Sequence, residues 1–416
     1  MGPVPVRPLL PVTRAAAPSP AGRIRVLTFS TLYPNPEMPY HGIFVENRLR
    51  ALMDSGEVDS MVVAPVPWFP IGHRRLGRYA TFARVPREER RHGVAVLHPR
   101  YPLLPKIGMS SAPFLIYASL RKLLREILRE RCRFDLIDAH YFYPDGVAAV
   151  LLGRSLGRPV VITGRGTDVN LIPAYRVPRR LMRWAAAQAA GVIAVSDALR
   201  ARLVELGVPG RRIEVLRNGV DLQLFAPQDR AAARRELGLD AEGPIVLSVG
   251  WLIPRKGHDL VIRAAATVPE ITLLIVGKGP QEMTLQRLVE QLGSRERVRF
   301  LGSIPQERLA AVYSAADAFV LASSREGLPN VLLEALACGT PVVATAVWGT
   351  PEVLSTRAAG RLVRERTPEA IAGALRELLL DPPARAAVRA HAERFSWGST
   401  TAGQVRLFRS ILKCPG

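Results

Sequence analysis

The stretch AFVLASSREGLPNVLLEALACGTPVVAT, residues 318–345, decides the fold. It opens on a short apolar run, Ala318 to Leu321, and closes on another, Pro341 to Thr345, each the length of a buried strand. Between them Val331 to Ala337 is helical in pattern, and Pro329 is acceptable just before it, where a missing N–H costs little. Strand, helix and strand in so short a span imply parallel strands with the helix laid on one face of the sheet.

The alternation extends in both directions. Upstream lie strands Ile245 to Gly250, Thr272 to Val276 and Val298 to Leu301, separated by helices Asp259 to Ala266, Gln281 to Gln291 and Glu307 to Ser314; downstream comes helix Pro368 to Leu380. Earlier in the chain, strands Arg23 to Ser30, Val58 to Ala64, Phe134 to Ala139, Pro159 to Thr163, Gly191 to Val195 and Ile213 to Leu216 alternate with helices Phe44 to Asp54, Asp145 to Leu156, Arg179 to Ala190 and Ser196 to Leu206. Both periods stop at Asn218-Gly219-Val220-Asp221 and at Pro227, where a turn dipeptide and a proline mark a hinge.

The expected class is therefore α/β, with two doubly wound Rossmann-like domains, residues 23–217 and 229–395, joined by a hinge at 218–228 and facing across a cleft. Residues 396–416 form a last helix, and Phe395, Trp397, Val405, Phe408, Ile411 and Leu412 give an apolar stripe for packing back onto the first domain. Residues 1–22, broken by prolines, read as a disordered arm without a signal-peptide segment.

At 48% hydrophobic and 22% charged residues the chain has the balance of a folded protein. Its net charge of +21 is uneven: 33 Lys and Arg against 16 Asp and Glu before Asn218, and 24 against 20 from there on, give +17 and +4. One lobe is thus suited to an anionic surface or ligand. A nucleic-acid partner is not expected, because the Arg-rich stretch Arg74 to Arg91 interleaves only Tyr79 and Phe82 and carries no recognition motif. No run of 18 uncharged apolar residues spans a membrane. Cys132, Cys338 and Cys414 have no metal or disulfide spacing, so a reducing, cytoplasmic setting fits. Segment Pro113 to Arg133 has an apolar stripe, Leu120, Leu123, Leu124, Ile127 and Leu128, ringed by Arg121, Lys122, Arg125, Arg129 and Arg131. It suits either a helix covering the sheet or one lying near anionic lipid headgroups.

Two phosphate fingerprints are absent: Gly250 to Gly257 lacks the Gly-Lys-Ser/Thr of a P-loop, and Gly277-Lys278-Gly279 lacks the third glycine of a dinucleotide fold. What remains is Arg255 and Lys256 at the carboxyl end of a strand, where ligands bind in open α/β sheets and where a guanidinium beside an ammonium suits a diphosphate. Glu326 follows a strand beside Gly327, which permits close backbone approach. Glu334 sits two turns into an otherwise apolar helix and needs a hydroxyl or cation as partner. The first N–H groups near Leu328 to Val331 favour an anion.

With these residues in view, the sequence resembles the retaining family 4 glycosyltransferases of GT-B architecture. The Glu-x7-Glu pair Glu326 and Glu334, the Arg255-Lys256 pair, the Gly277-Lys-Gly-Pro280 turn, Asn218-Gly-Val-Asp221, Gly349-Thr-Pro-Glu352 and Phe395-Ser-Trp397 carry the resemblance. The segment from Tyr33-Pro34 to Phe44-Val45 is most similar to members that build capsular, teichuronic-acid-type or exopolysaccharide chains. The resemblance implies a nucleotide-sugar donor and a glycan acceptor, lipid-linked, with peripheral contact to the inner face of the cytoplasmic membrane. Arg255 and Lys256 would bind the diphosphate, Glu334 the ribose, and Glu326 the transferred sugar. Gly327, Leu328, Pro329 and Asn330 would complete the donor cradle, and Gly42 would approach from the other lobe. His140 would face the sugar or acceptor, with Arg165 and Asp168 on the acceptor side; Arg165 departs from the His often found at that position. No cofactor or metal is implied, and no Asp-x-Asp motif is present. A sugar-nucleotide epimerase of the same architecture is the enzymatic alternative, and a basic nucleic-acid-binding protein the alternative of another class.

Overall fold

The computed structural model describes residues 22–68, 78–103, 108–131, 134–239 and 243–413. The first half carries β1 (Ile24–Phe29), β2 (Val58–Val63), β3 (Val66–Trp68), β4 (Glu88–Arg91), β5 (Val94–Leu97), β6 (Arg100–Pro102), β7 (Leu136–His140), β8 (Val160–Gly164), β9 (Gly191–Ala194) and β10 (Ile213–Val215). Eight of these form one sheet in the order β10-β9-β8-β7-β1-β2-β5-β4, parallel except for the antiparallel pair β4 and β5. The short strands β3 and β6 pair separately. After the hinge, β11 (Ile245–Val249), β12 (Thr272–Val276), β13 (Val298–Gly302), β14 (Ala318–Leu321), β15 (Val342–Thr345) and β16 (Gly360–Val363) form a parallel sheet in the order β13-β12-β11-β14-β15-β16.

Every residue of β7, β8, β9, β11, β14 and β15 is buried, as strands covered by helices on both faces require. In the first sheet the winding direction reverses between β1 and β7, and in the second between β11 and β14. Loops leaving the carboxyl ends at such a reversal part to opposite sides and leave a crevice. Arg255 and Lys256 follow β11, Glu326 follows β14, and His140 ends β7.

The last helix, Trp397–Lys413, packs against the first sheet. Its Val405 and Phe408 share a cluster with Ile24, Val26, Leu136, Val161 and Ile193, and Ile411 lies against it. Leu412 stays 38% exposed and outside the stripe. Of the expected amphipathic segment, Gly108–Glu126 is an α-helix that passes into a wider turn at Ile127–Arg131. Leu120, Leu124 and Ile127 belong to the main core while Arg121, Lys122, Arg125 and Arg129 are exposed. The apolar stripe is part of the core, so it is not available for insertion among lipid tails; the exposed side of the helix carries the cations together with Met109 and Phe114. Strands β3 to β6, β16 and helix Arg230–Glu236 lie where no element was expected. β4 reads Glu-Glu-Arg-Arg, a sheet edge without the apolar alternation that marks a strand. The expected arm falls almost wholly on residues 1–21, outside the described residues.

Truncating Phe408, which is fully buried, to Ala should cost about 3–5 kcal/mol in chemical denaturation. Leu380→Ala, at a position 89% exposed, should stay within about 0.5 kcal/mol.

Candidate functional site

On the second lobe the loops after β11, β12 and β14 pack main chain on main chain. A Cβ on Gly277 would strike the carbonyl oxygen of Gly250, one on Gly279 the Leu252 carbonyl, and one on Gly257 the Ala322 carbonyl. This tight stacking delivers a short turn, Pro254–Lys256, beside the Glu326 loop. Lys256 Nζ donates to Glu326 Oε1 at 2.7 Å, Ser323 Oγ donates to the same oxygen at 2.7 Å, and an Arg255 guanidinium nitrogen lies 3.3 Å away. Arg255 also donates to the Arg325 carbonyl at 2.7 Å. Burial works to raise the Glu326 pKa, but the charges of Lys256 and Arg255 with the Lys256 and Ser323 hydrogen bonds outweigh it and hold the carboxyl below its usual range.

Glu334, on helix Asn330–Ala337, accepts a bond from Tyr313 Oη at 2.9 Å. Burial raises its pKa to about 7, against the Tyr313 bond and the Lys256 charge. Two carboxylates eight residues apart are thus pushed in opposite directions, the environment that separates their roles. The helix starts at Pro329 without a side-chain cap, which leaves its first N–H groups open to an anion. Leu328 is buried in the main core, so only its backbone can serve a ligand.

On the first lobe, His140 Nε2 lies 3.2 Å from Asp138 Oδ2, and Nδ1 lies 2.6 Å from Arg165 Nη2. A guanidinium can only donate, so Nδ1 accepts and the proton sits on Nε2. Burial lowers the His140 pKa to about 4, with Asp138 opposing and Arg165 reinforcing, so the ring is neutral at neutral pH. Both ring nitrogens are therefore engaged within the protein. Arg165, only 8% exposed, also donates to Asn218 Oδ1 at 3.0 Å and stacks over the Phe44 ring at 5.4 Å. Asp168 is fully buried and accepts backbone N–H groups of Phe142 at 2.6 Å, Gly166 at 2.7 Å and Arg165 at 3.1 Å, so it shapes the loop that carries Arg165. Tyr141, next to His140, has φ 84°, strain held in place by its N–H bond to the Thr163 carbonyl at 3.0 Å.

The lobes meet where Gly327 lies against Arg165 and Gly166: a Cβ on Gly327 would strike the Arg165 carbonyl oxygen, and one on Gly166 would come 3.1 Å from the Gly327 nitrogen. Asn218 Nδ2 donates to Asn330 Oδ1 at 2.9 Å, and Asn170 Nδ2 to the Glu326 carbonyl at 3.4 Å. Glu352 accepts from Ala198 N at 3.1 Å and from Arg217 Nε at 2.9 Å. A cavity of about 580 Å³ runs beside the hinge and is lined by Asn47 and Arg50 on one side and by Gln306, Asn330 and Glu334 on the other. Gly42, in a left-handed conformation with φ 73°, starts helix Ile43–Asp54 with its α-carbon against the Leu32 carbonyl.

The structure brings Arg255, Lys256 and Glu326 into contact, links Asn330 to Arg165 and His140 through Asn218, and places Glu334 on the cavity wall. Asp138 and Ser323 are site residues that sequence reasoning did not single out, and Asn218 was read there only as part of the hinge and of the family motif. Asp138 had one available signal: two residues before His140 on a strand, it shares that residue's face. Among the described residues, no group of three or more His, Cys, Asp or Glu side chains is placed to hold a metal ion.

Two family models match the chain: Glycosyltransferase Family 4 over residues 81–224 and Glycosyl transferases group 1 over residues 229–395. The D-inositol 3-phosphate glycosyltransferase of Frankia alni is 34% identical over 348 residues, 77% of this chain and 85% of that protein. Its counterpart in Mycobacteroides abscessus is 46% identical over 197 residues, so the match spans 45% of this chain and under half, 44%, of that protein. Among solved structures, sucrose-phosphate synthase from Thermosynechococcus elongatus superposes with a TM-score of 0.76 at 24% identity, covering 94% of this chain and 100% of that one. HepE of Anabaena in complex with UDP-glucose gives 0.70 at 21% identity, covering 93% and 100%. Both share the two-domain GT-B fold.

Because the Glu334 pKa is raised in the folded state, the native protein holds that proton above the unfolded value of 4.5, and stability contributed there is lost as pH rises toward 7. Thermal unfolding of Glu334→Gln should show a smaller loss of stability between pH 5 and pH 8 than the parent. Equal losses in the two proteins would contradict the assigned shift.

Proposed function

The chain belongs to the family 4 glycosyltransferases, and on that premise we propose that it moves a sugar from a UDP- or GDP-linked donor to a glycan acceptor with retention at the anomeric carbon. The observation that supports this most is the convergence of Lys256, Arg255 and Ser323 on Glu326 at the start of the helix that carries Glu334.

In this reading Arg255 and Lys256 bind the donor diphosphate and stabilise the charge that develops on the leaving nucleotide, the term that contributes most in such reactions. The backbone of Gly327 to Asn330 and the helix N-terminus complete the cradle. Glu334 accepts the ribose hydroxyls. Glu326 hydrogen-bonds the transferred sugar and faces its developing positive charge. The acceptor oxygen attacks the anomeric carbon from the face the phosphate leaves; the bond to the phosphate oxygen breaks, the bond to the acceptor oxygen forms, and the acceptor proton passes to the leaving phosphate. Arg255 and Lys256 supply the positive charge, so the proposal calls for no metal. Gly42 closes on the donor from the first lobe. His140, with both nitrogens engaged, acts by holding Arg165 toward the acceptor, while Asp168 fixes the loop.

We further propose that the acceptor is a lipid-linked glycan in cell-surface polysaccharide synthesis, met at the cytoplasmic membrane face. The +17 of the first lobe and the exposed Arg121, Lys122, Arg125 and Arg129 on one helix support this. A phosphorylated cyclitol acceptor is the second reading, favoured by the 34% identity to the Frankia protein.

Incubation with UDP- and GDP-sugars should release nucleotide only slowly until an acceptor is added; formation of an epimer without acceptor would contradict transfer. Lys256→Ala and Glu326→Ala should each lower turnover about a hundredfold or more while the fold persists, because Glu326 keeps Arg255 and Ser323 when Lys256 is lost. Near-normal turnover in either variant would overturn the assignment. Vesicles containing anionic lipid should retain the protein at low salt and release it at high salt; failure to bind would remove the membrane from the proposal.

A further inference from the structure

Seven side chains form one hydrogen-bonded series that begins behind the cleft and ends at the second lobe. Arg48 Nε donates to Gln404 Oε1 at 2.8 Å, and Gln404 Nε2 donates to Asp138 Oδ2 at 2.7 Å. The same oxygen lies 3.2 Å from His140 Nε2, and Arg165 Nη2 donates to His140 Nδ1 at 2.6 Å. Arg165 Nη1 donates to Asn218 Oδ1 at 3.0 Å, and Asn218 Nδ2 to Asn330 Oδ1 at 2.9 Å. Guanidinium groups only donate and an ionised carboxylate only accepts, so the direction of every bond in the series is fixed. Turned over, the Gln404 amide would set its carbonyl against Asp138 and its NH2 against Arg48, two mismatches between buried groups.

We propose that Gln404, on the last helix, is a positioning residue for the cleft: it ties the Asp138 carboxylate that orients the His140 imidazole, and through that ring it holds Arg165 at the hinge. Gln404, Asp138, His140 and Arg48 are each 1% exposed, so the loss of a partner is costly. Asp138 Oδ1 has no partner among the described residues, so Oδ2 carries the side chain's bonds, one from Gln404 and one from His140. Without Gln404 the carboxylate keeps His140 alone and becomes more basic. Arg48 loses the partner of Nε and retains the Leu216 carbonyl at 3.1 Å on Nη1. The charged groups facing His140 are Asp138, Arg165 and Arg48. A more basic Asp138 draws a second proton onto the ring, and an imidazolium cannot accept the Arg165 N–H. The bond to Arg165 then breaks, and with it the only link in this series between the last helix and the hinge. The effect on turnover rests on the proposed transfer reaction; the effect on His140 does not.

The test compares Gln404→Leu with Arg406→Ala, an exposed position on the same helix. Nuclear magnetic resonance of isotope-labelled histidine, with the His140 signals assigned by their loss in His140→Gln, should show a neutral, Nε2-protonated ring in the parent and in Arg406→Ala. In Gln404→Leu the ring should take up its second proton at a higher pH than in the parent. Nucleotide release from UDP-glucose or GDP-mannose should fall about tenfold to a hundredfold in kcat with donor KM unchanged, because the Arg255, Lys256 and Glu334 contacts are untouched. A His140 spectrum identical to that of Arg406→Ala would overturn the proposal, as would a rise in KM without a fall in kcat. If Gln404→Leu does not fold, Gln404→Glu keeps an oxygen toward Arg48 and removes the N–H toward Asp138; an unchanged His140 there also overturns it. Altered His140 signals in a protein that releases nucleotide from no UDP- or GDP-sugar, with or without a glycan or cyclitol phosphate acceptor, would sustain the positioning role and refute the transfer reading.

Discussion

The close approach of Arg165-Gly166 to Gly327 is the constraint on which the rest of the site depends. No side chain separates these segments, and a Cβ on Gly327 would occupy the Arg165 carbonyl. Backbone contact at this point sets the two sheet reversals mouth to mouth, so loops from β7 and β8 on one lobe meet loops from β11 and β14 on the other. Gly349 adds a third main-chain surface, packing against the Gly327 carbonyl beside Ser196. Glycine is required there by space, and the consequence is chemical: charged groups from both domains come within reach of one small ligand.

The charges are then divided by environment. Glu326 sits between two cations and a hydroxyl and stays ionised, whereas Glu334, whose direct partner is a tyrosine, is raised to about 7. The excess positive charge of the first lobe follows a different logic. Its exposed arginines do not line the Glu326 centre; they are spread over several outer elements, Arg121, Arg125 and Arg129 on a helix whose inner face is core and Arg176, Arg179, Arg180 and Arg183 on helix Arg176–Gln188. The buried arginines, Arg48 and Arg165, instead join a directed series of bonds from the last helix to the hinge. Net charge thus separates into a surface property, subject to salt, and a buried, oriented one that salt screens far less.

Much of this was legible in the sequence. The strand-helix alternation, the break at Asn218 and the apolar stripe of the last helix led to two doubly wound domains, because buried parallel strands are nearly uninterrupted apolar runs. The places of Arg255, Lys256 and Glu326 after two strands were legible, but the ion pairs between them were not. Strands such as β4, Glu-Glu-Arg-Arg, were not legible, since an edge strand in contact with water needs no apolar residue. Gln404 and Asp138 lie 266 positions apart, and a glutamine in a helix carries no local mark of a partner so distant. His140 was legible as a residue at the end of a strand, but the occupation of both its nitrogens depends on Asp138 and Arg165, which only the folded chain brings together.

A crystal structure of the protein with UDP or GDP bound tests the central claim most directly. The account predicts the diphosphate within hydrogen-bonding distance of Arg255 and Lys256 at the start of helix Asn330–Ala337, with the ribose hydroxyls on Glu334. A nucleotide bound with its phosphates away from both cations, or outside the cleft between the lobes, would contradict it.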